Sequence, residues 1–109
     1  MFNFFKSSSN LSQAQAYEQL QNDKTIKLID VRTTEEYREG HIANSVNIPL
    51  DKLQNRISGV VNNKDAKVFV VCLSGSRAGN AVSYMKQVGY TNVFNIGGVG
   101  SWTYGLVKK

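Results

Sequence analysis

KVFVVCLSGSRAG occupies Lys67 to Gly79 of this chain. Its opening KVFVVC is the most continuous apolar run in the sequence, and a short valine-rich run of this kind reads as a strand covered by helices on both faces of a sheet. After the polar LSGSR, residues Ala78, Ala81, Val82, Met85 and Val88 recur at helical spacing as far as Gly89, a left-handed terminator. A buried strand, a short polar loop and a helix therefore succeed one another, with Cys72 where the strand ends.

The flanking sequence repeats the alternation. Ser12 with Gln15 forms a capping box, and Ala14, Tyr17 and Leu20 continue a helix until Asn22 and Asp23 break it. KLIDV (Lys27 to Val31) reads as a buried strand, and Thr33 with Glu36 caps a short helix over TEEYREG that Gly40 closes. SVNIPL (Ser45 to Leu50) reads as a brief strand stopped by Pro49, after which Asp51 is expected to cap a helix with Leu53, Ile57 and Val60 on its apolar face. NVFNI (Asn92 to Ile96) is the last expected strand. Gly97 and Gly98 should then turn the chain, and GSWTYGL should form a short closing helix with Trp102 packed on the domain. Strands alternating with helices over short connections predict an α/β domain with a mostly parallel central sheet. In such sheets ligands sit at the carboxyl ends of the strands. The Asp30 to Arg32 turn, the Cys72 loop and the Gly97 to Gly98 turn each follow a strand, so that edge is the expected active face.

At 109 residues, with 41% hydrophobic and 19% charged residues, the chain is sized and composed for one folded domain. Residues 1–10 read as an N-terminal arm and 11–109 as the domain proper. The arm's MFNFFK either packs on the domain or is the remnant of a processed leader. No apolar run has the roughly 20 residues of a membrane helix, so no membrane partner is expected. One cysteine excludes an internal disulfide and a multi-thiolate zinc site, which points to a reducing, cytoplasmic setting. The net charge of +5 is uneven: residues 1–55 carry 6 basic against 7 acidic groups (−1), and residues 56–109 carry 7 against 1 (+6). That excess serves either solubility or the attraction of anionic substrates or an acidic partner. No Lys/Arg cluster with interleaved aromatics is present, so nucleic acid is not an expected partner.

A lone cysteine ending a buried strand can be only a small hydrophobe. Here the loop Leu73, Ser74, Gly75, Ser76, Arg77 leads directly into a helix. Successive amides in a tight turn can point inward, Gly75 permits positive φ, and the helix amino terminus adds about half a positive charge. Such a field lowers a thiol pKa from about 8.5 into a range of roughly 3.5 to 7.5. Cys72 is therefore expected to be ionised and nucleophilic.

DVRTTEEYREGHIANSVNIPL (Asp30 to Leu50), CLSGSRA (Cys72 to Ala78), GY (Gly89 and Tyr90) and NIGGVGSW (Asn95 to Trp102) together resemble the rhodanese-like domains in order and spacing. The resemblance implies a small rhodanese-like domain whose helices flank its sheet. It implies that Cys72 takes sulfane sulfur from thiosulfate or a persulfide and passes it to a thiol or cyanide, with the Cys72 persulfide cradled by the amides of residues 73 to 77. Donor and acceptor would be small molecules or proteins, and no cofactor or metal is implied. Arg77 would hold the loop's shape, face the anion, cap the helix or pair with a carboxylate. Asp30 and Arg32 look mainly structural, His41 looks like a hydrogen-bonded scaffold residue, and Glu35, Glu36, Arg38 and Glu39 look like a solvated helix face. Ala43, Asn44 and Ser45 depart from the family's usual glycine-containing form, which implies an altered local turn. The alternatives are a non-catalytic binding or sulfur-carrier module and, against it, a phosphatase or arsenate reductase. The last two have a loop one residue longer than Cys72 to Arg77.

Overall fold

Both capping boxes form. In the computed structural model, which describes residues 10–108, the Ser12 hydroxyl accepts from the Gln15 amide and the Gln15 side chain returns to the Ser12 backbone, opening α1 (Gln13–Asn22). Thr33 and Glu36 repeat the exchange at α2 (Thr34–Glu39), which follows β1 (Lys27–Asp30) and ends at Gly40. Then come β2 (Val46–Asn47), α3 (Leu53–Val60), β3 (Val68–Cys72), α4 (Ser76–Gln87) and β4 (Val93–Gly98). The N-terminal arm lies outside the described residues except for Asn10, which makes a parallel bridge to Asn95.

The four strands form one all-parallel sheet in the order β2-β1-β3-β4. Successive residues of β3 point to opposite faces. Val68, Val70 and Cys72 join Ile29 and Val31 against Leu53 and Ile57 of α3 and Ala78, Ala81, Val82 and Met85 of α4. Phe69 and Val71 join Leu28 and Ile96 against Ala16 of α1, with Ile42, Val99 and Trp102. All of β3 is buried. After β2 the chain crosses to the other side of β1, so the strand order reverses between β1 and β3, and the Asp30 and Cys72 ends of these strands flank the switch point where such sheets bind ligands.

Five local expectations are corrected. Asp51 does not cap a helix: Pro49 leads into a 3-10 turn (Leu50–Lys52), α3 starts behind it, and neither start has a side-chain cap. Val60 is only partly buried, and the neighbouring Val61 enters the core instead. Val88 lies past the end of α4 and is 38% exposed. Gly97 and Gly98 do not turn the chain but continue β4. There Val70 pairs with Asn95 and Cys72 with Gly98, so β4 carries one extra residue, a bulge opposite Val71. The tail forms a 3-10 turn (Val99–Ser101) and then runs extended instead of helical, pairing Val107 with His41. Trp102 is buried as expected, edge-on to Tyr17.

Candidate active site

Cys72 is the last residue of the most buried strand, and its side chain turns toward the start of α4. The amides of Gly75 and Ala78 donate to its Sγ at 3.0 and 3.4 Å. One donor thus lies within the expected span 73 to 77, and the other belongs to the first turn of α4. Gly75 makes the geometry possible, because it caps α4 at φ 110°, where a side chain would be strained. Cys72 itself is 1% exposed, while Leu73, Ser74 and Ser76 beside it are exposed.

Groups far away in sequence hold the loop. The Leu73 carbonyl accepts from the Gly100 amide at 3.0 Å. A Cβ at Gly98 would overlap that same carbonyl, so the close approach of β4 to the loop requires glycine there. Asn95 donates from Nδ2 to the Gly75 carbonyl at 3.0 Å and accepts from the Gly97 amide at 2.8 Å. Gln13, at the start of α1, donates from Nε2 to the carbonyls of Ile96 and Gly98 at 3.0 and 2.9 Å, bracing β4 from behind.

Arg77 does not donate to the sulfur among the described hydrogen bonds. Its guanidinium makes a two-pronged pair with Glu36 of α2, at 2.7 Å to Oε1 and 3.0 Å to Oε2. The Glu36 carboxyl also accepts from the Thr33 amide at 2.9 Å. The Arg77 bonds, then the Thr33 amide, hold its pKa down at about 2. The same pairing raises the Arg77 guanidinium. Glu36 is therefore not part of a merely solvated face. Its role was hidden because Thr33 and Glu36 also satisfy a capping motif, and nothing local ties position 36 to position 77.

Asp30 and Arg32 meet below this rim. The Arg32 Nη2 lies 2.9 Å from Oδ2 of Asp30 and 2.7 Å from the Gly40 carbonyl, Nε is 3.1 Å from both carboxylate oxygens, and both residues are buried. Each charge is compensated within the pair, and Arg32 ties the end of β1 to the end of α2. His41 is buried, stacks on Tyr37 with ring centroids 3.7 Å apart, and has Nδ1 2.7 Å from the Tyr37 carbonyl. Asn44 adopts φ 70°, in the left-handed region where asparagine is tolerated.

Beside the loop runs an open groove of about 500 Å³, lined by Ser12, Gln13, Ser74, Gly75, Asn95 and Ser101 among others, none of them charged. A larger hollow of about 770 Å³ is walled by Tyr17, Leu20, Ile26, Ile42 and Trp102 and touches no residue of the Cys72 loop. The basic excess of the second half of the chain lies largely elsewhere. Lys67 precedes β3, Lys86 is in the last turn of α4, and Lys64 donates to the Val88 carbonyl just past α4. All three belong to the amino edge of the sheet, a strand's length from Cys72.

The family model described as "Rhodanese-like domain" matches residues 12–104. The chain is 39% identical over 71 residues to the thiosulfate sulfurtransferase PspE of Escherichia coli (strain K12), which spans 65% of this chain and 68% of that protein. It is 33% identical over 87 residues to the putative sulfur carrier protein YrkF of Bacillus subtilis (strain 168), covering 79% of this chain but only 46% of YrkF. Among solved structures, the rhodanese-related protein of Thermoplasma volcanium superposes with a TM-score of 0.79 at 33% identity, over 92% of this chain and 98% of that one. With the all-parallel sheet and the cysteine loop in place, the motif order from Asp30 to Trp102 has its explanation: this chain belongs to the rhodanese-like domain family.

Proposed function

We propose that the protein is a sulfurtransferase in which Cys72 is the catalytic residue and carries sulfur as a persulfide. The observation that carries this reading is the aim of the Gly75 and Ala78 amides at Sγ, at the amino end of a twelve-residue helix. Fixed donors of this kind stabilise negative charge on sulfur without rearranging. With thiosulfate as donor, the Cys72 thiolate attacks the outer sulfur, the donor's S–S bond breaks and sulfite leaves with the electron pair. Cys72–S–S⁻ remains. An acceptor thiolate or cyanide then attacks the terminal sulfur and regenerates the thiolate. The chain holds no second cysteine, so the acceptor is external, either a small thiol or a protein. A lone working thiol suits a reducing, cytoplasmic compartment.

Incubation with thiosulfate and cyanide should yield thiocyanate, and intact mass should show one added sulfur that a Cys72→Ser variant lacks. Absence of both signals in the wild type overturns the reading. The 1% exposure of Cys72 and the likeness to a putative sulfur carrier favour a second reading, a carrier that loads but does not turn over. Added sulfur without thiocyanate would select it.

A further inference from the structure

Granted the sulfurtransferase reading above, on which this inference rests, we propose that Asn95 of β4 is a positioning residue for sulfur loading: by holding the Gly75 carbonyl it keeps the Gly75 amide aimed at Sγ of Cys72. The need for such a pin lies in the loop itself. Gly75 stands at the head of α4 at φ 110° and has no side-chain cap, and glycine, lacking Cβ, is not confined to that φ. Its amide donates to Sγ at 3.0 Å, while its carbonyl accepts from the Gly79 amide at 3.0 Å. The Gly79 bond ties Gly75 to α4 but not to the strand that carries Cys72.

Two other bonds tie the loop to β4 and the turn after it. The Gly100 amide donates to the Leu73 carbonyl at 3.0 Å, and Asn95 Nδ2 donates to the Gly75 carbonyl at 3.0 Å. They bracket the segment whose amide meets the sulfur, and the second comes from a side chain. Asn95 is itself firmly based. It pairs with Val70, two residues before Cys72 on β3, and its carbonyl accepts from the Leu11 amide at 3.1 Å. Its Oδ1 accepts from the Gly97 amide at 2.8 Å, which fixes the rotation of the side-chain amide and hence the direction of Nδ2. The pin and the nucleophile therefore stand on paired strands, and Asn95 transmits that register to Gly75. With Oδ1 and Nδ2 both engaged, Asn95 acts on the sulfur through Gly75 and not by contact with the donor.

The test follows sulfur loading of Cys72 against thiosulfate concentration, by intact mass in a single turnover, with melting temperatures alongside. The proteins are wild type, Asn95→Ser, Asn95→Ala and Asn44→Ala. In Asn95→Ser the hydroxyl can still accept from the Gly97 amide across the same two-residue turn but is too short to reach the Gly75 carbonyl. Asn95→Ala loses both bonds. Asn44→Ala strains a turn on the larger hollow, away from the Cys72 loop, and controls for lost stability alone. At saturating thiosulfate both Asn95 variants should load about tenfold more slowly than wild type, because the Gly75 donor is displaced from the charge it stabilises. The half-saturating concentration should change by less than about twofold, since no contact with the donor is removed. Asn95→Ser should melt above Asn95→Ala yet load no faster, and Asn44→Ala should load at the wild-type rate. An Asn95→Ser protein that loads within about twofold of wild type, or loading that simply follows melting temperature across all the variants, overturns the positioning role while leaving sulfur transfer intact. A wild-type Cys72 that takes no sulfur overturns the sulfurtransferase reading, and this inference with it.

Discussion

Replacing Gly98 with alanine should damage both the fold and the chemistry. The added methyl would overlap the Leu73 carbonyl and crowd the Ser74 amide, and neither is a side chain that can swing aside. The Leu73 carbonyl is also held at 3.0 Å by the Gly100 amide, and Gly98 is the β4 partner of Cys72, so the loop and β4 cannot separate without loss on both sides. Restoring ordinary van der Waals contact requires an opening of roughly 1–2 Å. Overpacking costs about 1–3 kcal/mol, and rigid backbone puts this site at the upper end. For a domain of this size about 3 kcal/mol lowers Tm by roughly 12 °C or more. The same displacement moves the Gly75 amide relative to Sγ, and a misplacement of about 1 Å can cost on the order of a hundredfold in rate. Gly59→Ala is the control. It lies within α3 with nothing within 4 Å of the new Cβ, so alanine should stabilise by about 0.5–1 kcal/mol. Calorimetric melting and the rate of sulfur loading read both variants. A Gly98→Ala protein that melts within about 3 °C of wild type and loads sulfur at the wild-type rate would refute the contact reasoning.

Asp30→Asn leaves the buried Arg32 charge uncompensated and should cost about 3–5 kcal/mol, seen as a lowered urea midpoint; an unchanged midpoint would mean the pair is dispensable. Asn44→Ala places a residue that disfavours left-handed backbone at φ 70° and should cost about 1 kcal/mol, whereas Asn44→Gly should melt at or above wild type. Glu36 has a depressed folded pKa, about 2 against 4.5, so its stabilisation is present above pH 4.5 and lost as pH falls toward 2. The pair is partly exposed and its contribution is at most about 1 kcal/mol. The stability advantage of wild type over Glu36→Gln should therefore shrink across that window, and an advantage constant with pH would contradict the assignment. Finally, Lys64, Lys67 and Lys86 lie at the far edge of the sheet from Cys72. Raising ionic strength from about 0.01 to 0.15 M should change kcat/KM for thiosulfate less than about threefold, whereas steering by those charges would produce a steep fall.

The parts of the fold that were legible in sequence are those decided within one turn or one strand. The Ser12–Gln15 and Thr33–Glu36 boxes each complete inside four residues, and the KVFVVC run is buried whichever neighbours flank it. The parts that were not legible depend on register. Gly97 and Gly98 look like a turn in isolation, because a glycine pair favours turns wherever no partner strand is known. Here they continue β4, because Gly98 pairs with Cys72 of β3 and the carbonyl of Leu73 leaves no room for a side chain on Gly98. The tail around Trp102 departs from the expected helix for a related reason. Its extended course is fixed by Val107 pairing with His41, a partner 66 positions earlier (107 minus 41).

At the site the division is the same, and it bears on how charge should be read. Cys72, Gly75 and the start of α4 are consecutive, so their geometry followed from a strand–loop–helix pattern. Asn95, Gln13 and Glu36 reach the loop from other elements, and no local pattern marks them. The excess of positive charge in residues 56–109 can be read as solubility or as attraction of anions toward the thiol, and a parallel α/β chain returns to the opposite edge with every helix. Neighbours in sequence such as Lys67 and Cys72 therefore lie at opposite ends of one strand. Among the described residues, the cation within the loop, Arg77, arrives with its own counter-charge from α2. What surrounds the sulfur is consequently set by backbone amides and by a single ion pair at the rim, and net charge by chain half carries little information about it.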